Sequence, residues 1–336
     1  MKVKIAITGT GYISVIHAQA AHSQEDAELA AVVSRNPTTS QAFADQFGVK
    51  RIYSTVEALL AEGGLDALVI GTPNALHAPQ AIAALQAGVH VLVEKPMAMN
   101  GAEAEQMVSA SRKSGALLMV AHNWRFDEDV LWLKSQVGRL GRIIRTKGYG
   151  VHTLWGPSGW FTQRHLAGGG ALADMGIHAL DTARFLLDDP QPVSVYARIG
   201  TYYKDFEVDD TGVVIVNWDN GAISYVESGW WQPHSDGPEA ATQLYGTLGF
   251  GQLFPTKLEI PNVKEEKLDV IDPGFAFPRA EHCPQSIYDA QLAYFINCIQ
   301  TGETPVPGGV EGLVNMQVVD AAYESAQTGK VVELKP

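Results

Sequence analysis

Three side chains in this 336-residue sequence are of types that move a proton on and off an oxygen. Lys95 follows the run His90-Val91-Leu92-Val93-Glu94 and precedes Pro96. A lysine ammonium is a compact charge with rotatable donors, suited to polarising a hydroxyl or carbonyl oxygen. Pro96 fixes its own φ and disfavours the helical region for Lys95, so the strand stops there and the ammonium is held and aimed. Asp174 and His178 lie four apart in Gly168-Gly169-Gly170-Ala171-Leu172-Ala173-Asp174-Met175-Gly176-Ile177-His178, on one face of an expected helix. A histidine exchanges a hydroxyl proton near neutral pH, while a carboxylate holds a neighbouring hydroxyl. The three glycines permit a close approach of backbone to a ligand. Competing readings are a solvated pair and a core histidine bonded to Asp181. A metal site lacks a third firm ligand at recognisable spacing.

These groups need a scaffold, and the first 121 residues supply an alternating one. Residues 3–8 read as a buried strand, and Gly9-Thr10-Gly11-Tyr12-Ile13-Ser14 opens a helix after it. This G-x-G-x-x-S turn lets backbone approach a pyrophosphate, whose charge meets a helix N-terminus. Gly9, Gly11, Tyr12 and Ile13 are therefore cofactor candidates, and Ser14 departs from the small third position of the fingerprint. Residues 28–33 complete a βαβ unit. Ser34 and Arg35 then stand where an NAD-binding fold carries an acid for the ribose 2′-hydroxyl. A guanidinium without that carboxylate favours a 2′-phosphate, hence NADP over NAD. The alternative is Arg35 stacked on adenine, which accepts either cofactor.

Alternation continues through a helix capped by Asn36-Pro37 and ended at Gly48, and a capping box at Ser54-x-x-Glu57. A strand over 67–71 leads into Thr72-Pro73-Asn74 and a helix from His77. Thr72, Pro73, Asn74, His77 and Glu94 then face the crevice at strand ends, as Lys95 does; Asn74 otherwise serves as a turn residue and His77 as a helix-start residue. Asn100-x-x-Glu103 opens the next helix, and 117–121 is the last strand. The pattern predicts an α/β fold with a Rossmann-type doubly wound parallel sheet over residues 1–121.

Residues 122–336 read as a second, substrate-binding and oligomerisation domain. Strand-like runs cover 142–150, 193–199, 211–218 and 222–229, with a hairpin at Asp219-Asn220-Gly221 and shorter runs at 242–245, 252–254 and 258–260. A mainly antiparallel sheet of this kind leaves one face for water or a partner. Trp230, Trp231, Phe254 and Tyr245 serve either a subunit interface or the core. Asn123, Arg125, His152, Trp155 and Trp160 are candidate substrate-pocket walls, each with packing as its alternative. Helices over 286–299 and 310–326 close this domain or return to brace the first.

The formal charge of -13 and the absence of a Lys/Arg cluster argue against a nucleic-acid partner. Hydrophobic residues at 46% and charged residues at 18% fit a globular chain with a sizeable core. Two cysteines, Cys283 and Cys298, match neither zinc spacing nor a disulfide framework. No stretch suits a signal peptide or membrane span, so the expected location is cytoplasmic.

Taken together, the glycine turn, Thr72-Pro73-Asn74 with His77, Glu94-Lys95-Pro96 and Asp174-x-Gly176-x-His178 resemble the Gfo/Idh/MocA family, the glucose-fructose oxidoreductase and inositol dehydrogenase group. The resemblance covers essentially the whole chain. It implies a Rossmann domain joined to an α/β domain with a large open sheet, whose exposed face builds homodimers or homotetramers. It implies Lys95 and His178 as the catalytic pair and Asp174 as the substrate-orienting carboxylate. The expected reaction is hydride transfer between nicotinamide, NAD(P), and a secondary alcohol of a sugar, polyol or cyclitol. Two rivals use the same fold: a cofactor-sensing regulator without chemistry, and a hydrolase or lyase that cycles a tightly held NAD.

Overall fold

Val3, Ile5, Ala6, Ile7 and Thr8 are each at most 5% exposed, which is the signature of a strand covered on both faces. The computed structural model, which describes residues 2–234, 239–279 and 283–334, makes this run the centre of a parallel sheet. Its elements are β1 (Val3–Thr8), α1 (Tyr12–Ser23), β2 (Ala27–Val33), α2 (Pro37–Phe47), β3 (Arg51–Tyr53), α3 (Val56–Glu62), β4 (Ala67–Ile70), α4 (His77–Gln86), β5 (His90–Val93), α5 (Gly101–Ser114) and β6 (Leu118–Val120). Strand order is β3-β2-β1-β4-β5-β6, so the order reverses between β1 and β4, where open α/β sheets take their ligands.

Local chemistry explains the helix ends. Asn36 accepts from the backbone N–H of Thr38 and Thr39 at 3.0 and 3.3 Å, Pro37 opens α2, and Gly48 closes it at φ 66°. Asn100 accepts from the Glu103 N–H at 2.9 Å. The capping box expected at Ser54 sits one residue later: Thr55 accepts from the Ala58 N–H at 3.2 Å. The short β3 escaped the sequence reading, since three residues carry too little periodicity.

In the second unit the elements are α6 (Glu128–Gln136), β7 (Ile143–Thr153), α7 (Arg164–Ala167), a π-helical turn (Leu172–Gly176) running into α8 (Ile177–Leu186), β8 (Pro192–Gly200), β9 (Thr211–Trp218), β10 (Ile223–Gln232), β11 (Ala240–Gly246), β12 (Phe250–Gln252), β13 (Lys257–Asn262) and β14 (Lys267–Ile271). The chain ends in α9 (Gln285–Thr301), α10 (Gly309–Thr328) and β15 (Val332–Glu333). Nine strands follow the order β14-β13-β12-β11-β7-β10-β9-β8-β15, antiparallel except for the central β7–β10 pair. The edge strands β14 and β15 are additions to the expected sheet. One compact unit comprises Met1–Asn123 with Cys283–Leu313, and the other Trp124–His282 with Val314–Pro336. Within the first, Gln285 on α9 donates to the Ile16 carbonyl at 3.1 Å, and Val120 N–H donates to the Pro307 carbonyl at 3.1 Å beside edge strand β6. No described helix is long and apolar enough to cross a membrane.

Two expectations for aromatic and basic residues change. Trp230 and Phe254 are core residues, 0% and 3% exposed, and not interface groups. Arg125 is withdrawn from the pocket walls: its Nε and Nη2 donate to the two Asp181 oxygens at 2.8 Å, and its Nη1 and Nη2 donate to Asp189 at 2.8 and 2.7 Å. Asn315 adds a bond to Asp181 at 2.8 Å. The side chains of Arg125 and Asp181 are 3% and 2% exposed, so the paired carboxylates hold the guanidinium pKa above its ordinary value despite burial. Removing one member of such a pair strands the other's charge in the interior. Arg125→Met should therefore destabilise the protein by about 3–5 kcal/mol in denaturant titrations; a loss under 1 kcal/mol would mean the pair is dispensable.

Candidate active site

The first unit's candidates gather at the carboxyl edge of its sheet. Gly9 has φ 90°, and a Cβ there would stand 2.6 Å from the Gly71 carbonyl oxygen, so the turn after β1 requires glycine. Gly11 caps α1 in extended conformation with no side-chain acceptor, and the first turn holds no acid. Uncapped N–H groups at a helix start, with room above Gly11, fit a pyrophosphate. Ser14 is fully buried, and its hydroxyl lies 3.5 Å from the Thr8 carbonyl and 3.4 Å from that of Gly71, so a polar third residue fits by bonding to strand-end backbone. Tyr12 is 82% exposed at the turn and Ile13 is half-buried.

After β2, Ser34 accepts from the Asn36 N–H at 3.4 Å. Arg35 is exposed and makes no hydrogen bond or ion pair among the described residues, with the hydroxyls of Thr10 and Thr39 bonded to each other nearby in the fold at 2.9 Å. After β4, Thr72 donates its hydroxyl to Gln80, which also receives that of Thr8, at 3.1 and 3.0 Å. Pro73 leads into Asn74, 6% exposed. His77 is 1% exposed, and its ring nitrogens lie 2.9 Å from the Thr72 and Pro96 carbonyls, so it braces the β4 and β5 exits.

Lys95 leaves β5 half-buried, and its peptide bond to Pro96 is cis. Glu94 is held from two sides: Oε1 meets His17 Nε2 at 2.8 Å, and Oε2 accepts the Lys95 N–H at 3.2 Å. His17 in turn meets the edge of Tyr288 at 5.9 Å between centroids. Nothing in the sequence marked His17 or Gln80, because one polar residue on an apolar helix face gives no periodic signal. Asn123 is 2% exposed, and its Oδ1 has no hydrogen-bond partner among the described residues.

In the second unit Asp174 lies in the π-helical turn and His178 in the first turn of α8, both half-buried. Trp230 donates its indole N–H to Asp174 Oδ2 at 3.1 Å, and His178 stacks on Trp124 at 5.3 Å and 26°. The expected α-helix over Asp174 is thus a wider turn, a form frequent at functional sites. Asp181, the alternative partner of His178, accepts from Arg125 and Asn315. The glycine run approaches protein rather than a ligand: a Cβ on Gly170 would stand 1.8 Å from the Asp209 carbonyl oxygen, and one on Gly169 2.1 Å from the Tyr323 hydroxyl. Asp209 accepts from the N–H groups of Gly170 and Leu172 at 2.8 and 2.9 Å and from Tyr323 Oη at 2.8 Å. Burial raises the Asp209 pKa and, with Asp209 beside it, that of Tyr323. Of the remaining wall candidates, His152 stacks on Trp155 and Trp160 on Phe161, at 3.6 and 3.9 Å between centroids.

Burial holds the His77 imidazole below its ordinary pKa of 6.5 and outweighs the two carbonyls, which favour protonation. The unfolded chain therefore binds a proton that the folded chain resists. This group's stabilising contribution is complete above pH 6.5 and is lost as the pH falls below it. Unfolding free energies of the protein and of His77→Asn, measured from about pH 7.5 to 5.5, should converge on acidification; parallel curves would refute the assignment.

A family model described as an oxidoreductase family with an NAD-binding Rossmann fold matches residues 3–122, and a GFO/IDH/MocA C-terminal domain model matches residues 135–250. A D-xylose 1-dehydrogenase (NADP(+)) of Haloferax volcanii is 32% identical, with 98% of each chain covered. A D-glucoside 3-dehydrogenase of Escherichia coli is 29% identical over 99% of this chain and 97% of its own. The crystal structure of an aldose-aldose oxidoreductase from Caulobacter crescentus complexed with glycerol superposes with a TM-score of 0.84 at 29% identity, covering 99% of this chain and 100% of that one. With a nucleotide turn, a lysine at the β5 exit and these full-length relatives, this chain belongs to the Gfo/Idh/MocA family of oxidoreductases.

Proposed function

We propose that this oxidoreductase transfers a hydride between NADP, in preference to NAD, and a secondary hydroxyl or ketone of a sugar, polyol or cyclitol. The reading rests most on Lys95, a half-buried ammonium at the carboxyl edge of the same sheet that bears the uncapped turn of α1. Relatives named for glucoside and xylose dehydrogenation support the substrate class.

Bound at the turn of Gly9 and Gly11, the nicotinamide cofactor supplies the hydride acceptor or donor at its C4. Lys95 donates a hydrogen bond to the reacting oxygen and stabilises the charge that develops there. His178 receives the hydroxyl proton at Nε2, since its Nδ1 edge is buried. Asp174, oriented through Oδ2 by Trp230, accepts a hydrogen bond from a neighbouring hydroxyl. Glu94, His77 and Gln80 position the loops, and Asn123 offers a buried acceptor.

Arg35, exposed and unpaired among the described residues, supports the NADP preference, because a guanidinium binds a phosphate dianion in a charge-assisted fork. Ile215 and Ile223, exposed on β9 and β10, support a homodimer or homotetramer built on the open sheet face. Cys283 and Cys298, too few and wrongly spaced for a disulfide framework, support a reducing, cytoplasmic setting.

Two measurements test the reading. Aldoses, polyols and cyclitols supplied with each cofactor should change the near-ultraviolet absorbance of reduced nicotinamide stoichiometrically; Lys95→Ala should lower kcat by about a hundredfold or more while cofactor still binds. Turnover without net absorbance change would instead identify a cofactor-cycling hydrolase or lyase. Arg35→Ala should weaken NADP by about tenfold and leave NAD nearly unaffected; equal losses for both cofactors would place Arg35 on the adenine.

A further inference from the structure

Trp155 is 47% exposed, yet its indole is fixed. Its Nε1–H donates to Glu239 Oε1, and its ring stacks on His152 with centroids 3.6 Å apart and planes at 31°. Its backbone carbonyl accepts from the Trp231 N–H at 2.8 Å. The second Glu239 oxygen stands 3.5 Å from His152 Nδ1, and the Glu239 side chain keeps 36% of its surface exposed. A large apolar face held rigid and left open beside a carboxylate costs hydrophobic free energy in water, which is the mark of a surface that receives a ligand.

Its position within the second unit says which ligand. The π-helical turn that carries Asp174 rests on β7 at Gly150, where a Cβ would stand 2.7 Å from the Met175 carbonyl oxygen. His152 lies two extended residues farther along β7, about 7 Å at the strand rise, and Trp155 lies beyond the strand's end. After the strand the chain turns back, and Gly156, next to Trp155, meets Trp230 and Trp231, where a Cβ would stand 3.1 Å from Trp230 Cβ, while Trp230 holds Asp174. Trp155 therefore borders the place of the sugar whose hydroxyl Asp174 orients, where a ring attached to that sugar would lie. An aromatic face meets the C–H face of a pyranose, and a carboxylate accepts its equatorial hydroxyls.

We propose that His152, Trp155 and Glu239 form an outer subsite that takes the second ring of a disaccharide or glycoside, so that the oxidised sugar is a glycosidically substituted one. The inference rests on the sugar oxidoreductase reading and deepens it. Glu239 both orients the indole and contributes acceptor oxygens, and Trp155 supplies the stacking face.

The test pairs each monosaccharide with its disaccharide, glucose with maltose and cellobiose, and galactose with lactose. Turnover and calorimetric binding are both measured on the cofactor-loaded protein. At least one disaccharide should exceed its monosaccharide by about fivefold to tenfold in kcat/KM and in affinity, and Trp155→Ala should bring that ratio close to one. Glu239→Gln, which keeps an oxygen to accept the indole N–H, should lower the ratio less than Glu239→Ala. A wild-type ratio near one, or a ratio that Trp155→Ala leaves unchanged, overturns the subsite. Monosaccharide turnover in that event leaves the oxidoreductase reading standing, whereas failure of every sugar, polyol and cyclitol to be oxidised or reduced removes that reading itself. A change in oligomeric state on Trp155→Ala, with the ratio intact, overturns the subsite in favour of a subunit contact.

Discussion

A carboxylate that is 7% exposed needs hydrogen-bond partners, and those of Glu94 organise the first unit. Its partner is His17, on the same helix whose uncapped start faces the nucleotide turn. The bond therefore joins the exit of β5 to the body of α1. Because Glu94 also accepts from the Lys95 backbone, the lysine's position and that of α1 are linked through one buried carboxylate. His77 lies between the Thr72 and Pro96 carbonyls and, as a neutral ring, donates to one of them, which ties the next loop into the same arrangement. A lysine on a mobile loop would spread its ammonium over many positions, and electrostatic stabilisation depends on donors that are already in place.

The second unit solves the same problem with backbone instead of charge. Gly150 and Gly170 let the turn bearing Asp174 settle onto β7 and Asp209 at distances no side chain allows, and Gly176 lets it pack closely on Ser228 of β10. Asp209 then satisfies the N–H groups at the start of the turn, and Tyr323 fills the remaining acceptor capacity of Oδ1. The cost of burying that carboxylate appears in its raised pKa. Against this framework Trp230 fixes the Asp174 carboxylate and Trp124 the His178 ring, two fully or nearly buried indoles acting on two partly exposed polar groups.

Much of this was legible in the residues themselves. Strands such as β4 and β5 are short apolar runs that end at Gly71 and at Glu94-Lys95-Pro96, and Asn36-Pro37 with Gly48 states both ends of α2. The Gly9-x-Gly11 turn and Lys95-Pro96 are legible because each depends on neighbours in sequence. What escaped depends on contacts across tens of residues. Arg125 looked like a ligand-facing cation until Asp181 and Asp189, 56 and 64 positions away, were seen to enclose it. The Gly168-Gly169-Gly170 run suggested a ligand when its close neighbours are Asp209 and Tyr323. Period and composition also do not separate a π-helical turn from an α-helix, so the local widening at Asp174 had no sequence mark.

Neither unit is contiguous in the chain, and this shapes how the polypeptide must assemble as it leaves the ribosome. At the heart of the larger sheet β7 pairs with β10, whose Ile223 meets Arg145, and β15 closes the far edge only at Val332. The nucleotide-binding sheet emerges first, but its β6 margin waits for Pro307 and Gly308. Synthesis therefore runs almost to completion before either body can bury its last open strand. Such long-range pairing is slow and leaves sheet edges exposed while it waits, a demand met in cells by chaperones that hold nascent chains apart.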